Sequence, residues 1–340
     1  MSNIERMESQ DEIDLVELIK TLWDKKLWII LSSFVCTALA GTYAFTAKEQ
    51  WTSTAEVITP TSSDLGKYTN LQLRFAQITK NTSLTIDTVS KNIYARFDRL
   101  AFSQNERRDF FQQSDEYKRL TEGKDENAQR KVLASLAIEY TAIVRPDPKK
   151  NVDMFGNRIK FSAEKPEIAQ KTLTQFIDFI NQKAFDLDKQ EFQFLVKQKV
   201  EQLSHEKQVL EESLKLQKEF TLNNQSNSLM ATPIQQGIPA NNTQQVGTGS
   251  MPDAAVMASV YGEQYLQLQI KTIETQLQQL QVLENELKEV KGQAYSYQAS
   301  PDYPVNKDKP KKALILLIGL VIGGILGCLV VLIKHLFTKK

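Results

Sequence analysis

The sequence predicts an α+β membrane protein in which two transmembrane helices flank an exported domain with a small mixed α/β base and a long helical hairpin. Three patterns carry this reading. A charge-free apolar run stands near each end, two stretches place apolar residues at alternating steps of three and four, and short β-branched runs are bounded by proline. At 340 residues the chain can bury a sizeable core in one or two domains. Lys plus Arg number 42 against 41 Asp plus Glu, so no net field draws in nucleic acid. Mean hydropathy is -0.36, an ordinary soluble value, because the apolar character is concentrated at the ends.

The first apolar run is Leu27 to Phe45 (LWIILSSFVCTALAGTYAF) and the second is Ala313 to Ile333 (ALILLIGLVIGGILGCLVVLI). At ~1.5 Å per residue each covers about 30 Å, the thickness of the hydrocarbon layer. Residues 27–47 and 313–333 are the expected spans. Trp23, Trp28 and Trp51 stand where interfacial aromatics belong. Lys20, Lys25 and Lys26 before the first span, against Lys48 after it, favour an inside N-terminus. Lys307, Lys309, Lys311 and Lys312 oppose that orientation locally, since they outnumber Lys334, Lys339 and Lys340 beyond the second span. The first span usually dominates, and long loops translocate with little regard to charge. Residues 1–26 and 334–340 are therefore expected in the cytoplasm and 48–312 in the periplasm.

A cleaved signal peptide is the alternative, because Ala38-Leu39-Ala40 has the small-x-small form of a cleavage site. The leader, however, is long and carries Glu5, Glu8, Asp11, Glu12, Asp14, Glu17 and Asp24, unlike a basic n-region, so an uncleaved anchor is expected. Cys36 and Cys328 both fall within the spans and leave the exported part no disulfide.

Just outside the first span, Trp51 to Thr59 is rich in Thr and Val, ends at Pro60, and reads as a strand. Leu71 to Leu136 mixes Leu, Phe and Ile at helical spacing with many charges, which predicts several short amphipathic helices. Ala137 to Val144 alternates as a second strand and Asn157 to Ser162 as a third. A long helix is expected over about 167–220, opened by Pro166. Val200, Leu203, Leu210 and Leu214 form a narrow seam along it, with Lys207 filling one position. Asn223 to Met251 is too polar to bury much surface and reads as a loop. A second helix is expected over about 254–291, with Leu266, Ile270, Ile273, Leu277 and Leu280 in its seam. Glu284 then takes a seam position while Leu283, Leu287 and Val290 shift the stripe. If straight, the two helices reach about 80 Å and about 55 Å. Pro301, Pro304 and Pro310 exclude further helix, so the chain should descend extended and stiff into the membrane.

No phosphate loop, nucleophile elbow or paired Cys or His at metal spacing occurs. No catalytic residue, metal ligand or cofactor is therefore assigned. His205 lies off the seam and reads as a solvated helix residue, and His335 lies in the tail after the second span. Within that span Gly319, Gly323 and Gly327 repeat every four residues, the spacing that lets helices approach closely in lipid. The first span, a sister subunit and another membrane protein all remain as partners for that face.

The ends also carry a resemblance. Ile13 to Leu18 (IDLVEL), then Leu22-Trp23 and Lys25-Lys26 before the first span, with Trp51 to Ala55 (WTSTA) after it, resemble the start of the Wzz chain-length determinants. Pro301, Pro304 and Pro310, then Lys311-Lys312 and a glycine-rich span, resemble that family's C-terminal end. The resemblance implies a homo-oligomeric ring of eight copies in a bacterial inner membrane, closed by its bases, with the long helices rising into the periplasm. It implies a scaffold rather than an enzyme, acting beside a Wzy-type polymerase on a lipid-linked polysaccharide, usually lipopolysaccharide O-antigen, and setting its modal length. Enterobacterial common antigen, capsule and exopolysaccharide are alternative products. A two-span sensor is disfavoured because residues 1–26 and 334–340 offer it no output domain. An export adaptor typically has one span.

The flanking charges predict that a phosphatase fused at Gly247 is active and one fused after Lys340 is inactive. The reverse pattern, or a mature N-terminus at Gly41, would overturn the topology.

Overall fold

The structure is a computed structural model that describes residues 15–150, 153–226 and 262–338. Helix α1 (Leu15–Asp24) breaks at Lys25 and α2 (Lys26–Thr46) follows at once. Its outer surface is apolar and uncovered: Phe34 is 71% exposed and Leu39 67%. Such a face needs lipid. Strand β1 (Trp51–Ile58) follows, then five helices: α3 (Ser62–Leu65), α4 (Lys67–Ile78), α5 (Ile86–Phe102), α6 (Gln104–Gln113) and α7 (Asp115–Thr121). Helix α8 (Glu126–Ile138) completes the series.

Caps explain why this region is cut into short pieces. The side chains of Thr85, Ser103, Ser114 and Asp125 accept from the N–H groups of Thr88, Glu106, Tyr117 and Ala128. Each such cap satisfies an otherwise orphaned donor and contributes about 1 kcal/mol. Ser103 and Ser114 end one helix and begin the next.

The second strand is shorter than expected. Ala137 and Ile138 belong to the end of α8, where Leu136 and Ala137 are buried, and the Thr141 hydroxyl donates to the Leu136 carbonyl at 2.8 Å. Strand β2 (Thr141–Val144) begins only there, and β3 (Asn157–Ala163) alternates strictly between buried and half-buried positions. Helix α9 (Pro166–Ser226) has 61 residues and would extend about 90 Å if straight. It includes Asn223 to Ser226, which were expected in the loop; residues 227–261, and with them the rest of that loop and the expected start of the second long helix, lie outside the described residues. Helix α10 (Glu263–Glu289) returns, and an unexpected strand, β4 (Ser296–Ala299), precedes α11 (Lys312–Thr338). The second apolar helix thus continues past Lys334, through part of the expected tail.

The sheet has order β2-β3-β1-β4 and is antiparallel throughout, with Trp51 opposite Ala163 and Val57 opposite Asn157. The first part of α9 lies across it and buries Ala169, Leu173, Phe176, Ile177, Ile180 and Ala184, an apolar face at helical spacing. Phe111 stacks between Phe161 of the sheet and Phe176 of the helix, at 5.4 and 6.3 Å between ring centroids. Tyr68 packs on Phe185 and Phe192, and Phe97 on Tyr295.

Glu56 and Glu116 are charges buried in this base, and Glu116 is held by Arg119. Glu56, 6% exposed, accepts from the N–H groups of Phe155 (2.8 Å) and Gly156 (3.2 Å) and from Arg158 (3.0 Å). Burial pushes its carboxyl upward, but those donors together bring it below the usual carboxylate range. Gly156 is required by close approach, since a Cβ there would lie 2.1 Å from the Val57 carbonyl oxygen.

Gly156→Ala should therefore pry the loop from β1 and cost about 1–3 kcal/mol, as overpacking does. Gly262→Ala, where an added Cβ meets nothing within 4 Å, should cost little. Thermal unfolding of the detergent-solubilised protein, followed by circular dichroism, compares the two; equal melting points would refute the close-approach argument.

Candidate functional site

The helical hairpin, the strap that joins it to the membrane, and the pair of apolar helices form one continuous scaffold. In the hairpin, Val196, Leu203 and Leu210 are buried at strict intervals of seven, and so are Leu266, Ile273, Leu280 and Leu287 on the returning helix. Val200, Leu214, Ile270 and Leu277 pack half-buried between them. That is the seam of a two-helix coil. Lys207 takes the remaining seam place and turns it into a cross-link, 2.8 Å from Glu274. Lys189 donates to the Lys288 carbonyl, and Lys218 stands 3.5 Å from Glu263. Partners descend one helix as they climb the other, so the pair is antiparallel. Below Leu280 the stripe turns through Leu283 to Leu287 and Val290, all buried. Helix α4 packs there as a third helix, with one Arg74 nitrogen, Nη1, donating to both Glu286 carboxylate oxygens at 2.9 and 3.0 Å. The register shift therefore marks where two helices become three.

A polar knot ties α9 to the base. Asp188 accepts from the Tyr68 hydroxyl at 2.7 Å, from Gln72 at 3.3 Å and from Arg96 at 3.3 Å, and Arg96 also pairs with Glu191. Burial, reinforced by the Asp188 carboxylate, raises the Tyr68 hydroxyl far above the usual phenol range, so it stays protonated and donates. Satisfied on every side, the cluster works as a fastener.

From β4 the chain descends along the edge of β1. The Ser53 hydroxyl donates to the Asp302 carbonyl at 2.6 Å, the Asp302 N–H donates to the Thr54 carbonyl at 3.1 Å, and the Asp302 carboxylate takes the Thr54 N–H. Gln170 donates to the Pro301 carbonyl, and Tyr303 to Glu167, whose carboxyl is lowered by that bond. Pro301 and Pro304 are buried and Pro310 half-buried. Lys307 holds Glu49 at 2.6 Å and lowers its carboxyl. Gln50 and Lys309 then pair as an isolated antiparallel bridge. This strap was visible in the sequence only as a proline spacing. The polar residues between the prolines, Asp302 among them, carry no motif.

The strap delivers α11 beside α2. A Cβ added at Gly319 would lie 2.6 Å from Ala40 Cβ, at Gly323 2.7 Å from Ser33 Cα, and at Gly327 2.8 Å from Ile29 Cα. The glycine face lies against the first span, and the two helices run antiparallel. The Ser32 hydroxyl donates to the Gly323 carbonyl at 2.9 Å, a bond contributing ~0.6 kcal/mol in lipid. Lys312 stands 4.4 Å over Phe45 and Lys334 5.6 Å over Trp28, one cation–π pair near each end of the hairpin. The glycine face and the leucine seam belong to separate packing units, which the base connects. His205 is exposed on α9. Among the described residues no group of three His, Cys, Asp or Glu side chains is placed to hold a metal ion.

Comparison with known proteins agrees with this architecture. A family model described as Wzz, chain length determinant protein, matches residues 11–106, which hold α1, α2, β1 and α3 to α5. The chain is 26% identical over 343 residues to the ECA polysaccharide chain length modulation protein of Escherichia coli strain K12, covering 96% of each. It is 30% identical over 200 residues to an uncharacterised protein of Haemophilus influenzae, covering 54% of this chain and 95% of that one. A solved full-length bacterial polysaccharide co-polymerase shares the fold, with a TM-score of 0.53 and 21% identity over 96% of this chain and 99% of that structure. Residues 11–106 thus carry the Wzz chain-length determinant domain, and over nearly its whole length the chain is similar to a chain length modulation protein and shares the fold of a polysaccharide co-polymerase.

Proposed function

We propose that the chain regulates the modal length of a lipid-linked polysaccharide in the bacterial inner membrane, as a scaffold for a Wzy-type polymerase and without a catalytic step of its own. The observation that carries this is the end-to-end match to a chain length modulation protein, which spans both anchors and the whole intervening domain. The side-by-side antiparallel anchors support a topology with both termini in the cytoplasm and residues 48–312 in the periplasm, because they bring the ends of the chain to one side. The rod supports self-assembly: Phe194 is 60% exposed, Leu268 61% and Val282 51%, an apolar surface that a neighbouring rod would cover. The assembly proposed is a closed ring of eight copies, the number implied by the family resemblance.

The polysaccharide proposed from the sequence is O-antigen. Enterobacterial common antigen is the second reading, favoured by the function printed for the Escherichia coli relative.

Deleting the gene should disperse the length distribution of one polymer while polymer continues to be made, and gels of both glycans from the same cells identify which. Leu210→Asp buries an unpaired charge in the seam, should destabilise the rod by several kcal/mol, and should shift or erase the modal length. Glu211→Gln, on the exposed flank, should leave the ladder intact; if it halts polymerisation with protein level and assembly unchanged, the scaffold reading fails. At the anchors, Gly323→Leu should part the two helices and weaken assembly or chain-length control, whereas Val330→Leu, on the lipid-facing side, should do neither. Wild-type oligomers and ladders from both anchor variants would make the glycine face incidental.

A further inference from the structure

At the foot of the base a groove of about 760 Å³ opens where the first span ends and the second begins. Two chemistries line it. Tyr43 from α2, Leu314 and Ile315 from the first turn of α11, and Val132 from α8 make an apolar floor. All but Val132 lie within the apolar helices, in their last or first turn. Lys124, just before α8, Lys131, within it, and Lys309 and Lys311, at the end of the strap, line the same groove.

The other charges of the lining are already matched. Lys48 pairs with Glu164, Arg119 with Glu116 and Glu164, and Lys307 with Glu49. Lys124, Lys131, Lys309 and Lys311 make no ion pair among the described residues, and Asp308 is the one lining carboxylate facing them that is likewise unpaired. The groove thus combines a positive rim with an apolar bed in contact with the bilayer.

We propose that this groove seats one anionic phospholipid of the periplasmic leaflet, with its phosphate among these four lysines and its acyl chain against Tyr43, Leu314 and Ile315. Charge complementarity selects an anionic head over a zwitterionic one. The apolar floor selects a lipid over a free anion. The bound lipid would fill the space between base and anchors and fix the tilt of the base on the membrane. The inference rests on the two helices crossing the bilayer with the base in the periplasm, and not on the chain-length reading.

The test uses the full chain in nanodiscs of equimolar phosphatidylglycerol and phosphatidylcholine, released into native mass spectrometry to count lipids retained per protomer. Phosphatidylglycerol should be retained over phosphatidylcholine by about tenfold. Lys124→Gln with Lys131→Gln should remove most of that preference, as should Lys309→Gln with Lys311→Gln. Lys197→Gln with Lys215→Gln, on the exposed rod, should preserve it. The proposal is overturned if the two lipids are retained equally or if both groove pairs keep the wild-type preference. It is also overturned if inorganic phosphate displaces the lipid, which would make the groove an ion site, or if the groove variants alter the number of copies while lipid retention is unchanged, which would make it a subunit contact. Lipid counts on purified protein stand or fall independently of the glycan ladder from cells.

Discussion

Only Ala47 to Gln50 separate the first apolar helix from the central strand of the sheet, and the rest of the molecule depends on that short tether. A strand so close to a helix end cannot wander, so β1 has a fixed place relative to the bilayer. Its two neighbours, β3 and β4, come from distant parts of the chain and inherit that placement. The bridge between Gln50 and Lys309 then returns the far end of the chain to the same spot. Lipid supplies no hydrophobic force to draw two helices together, so the anchors meet because the base delivers them side by side and because glycine lets their backbones close.

The base and the rod use different physics. In the base, aromatic side chains from three directions fill the space between sheet and helix, and the buried Glu56 and the half-buried Asp188 are each surrounded by donors. Removing a donor would leave a lone pair of the carboxylate unmatched, which makes these polar groups rigid fixtures rather than adjustable ones. The rod has one narrow seam and little else, so its contacts are local along its length. A change near Leu203 reaches the anchors only along the two long helices, through α9 into the base or through α10 into the strap.

Much of this was legible from residues. The spans declare themselves because no charge interrupts them, and the rod does so because apolar residues return at three and four over several turns. The seam irregularity near Glu284 was legible as an irregularity, but its cause, the arrival of α4, is a tertiary fact. Ala137 to Val144 alternates in a way that satisfies a strand, yet tertiary burial of Leu136 and Ala137 kept its first residues in the helix. Strand β4 is four residues, Ser-Tyr-Gln-Ala, with no aliphatic signal at all, and it exists because β1 offers it an open edge. The strap around Asp302 was hidden for a similar reason. Its hydrogen bonds are mostly to backbone, and backbone partners leave no trace in composition.

The seven-residue interval of the seam has a geometric consequence for how such a rod can vary. Adding one residue to α9 rotates everything beyond it by about 100° and turns the following seam residues away from the returning helix. The seam survives only if whole heptads are inserted, and only if the returning helix gains the same number. Each permitted increment raises the tip by about 10 Å. The height of this rod is therefore quantised: variants of the architecture form a ladder of discrete statures, and intermediate ones require a bulge or a break in the coil.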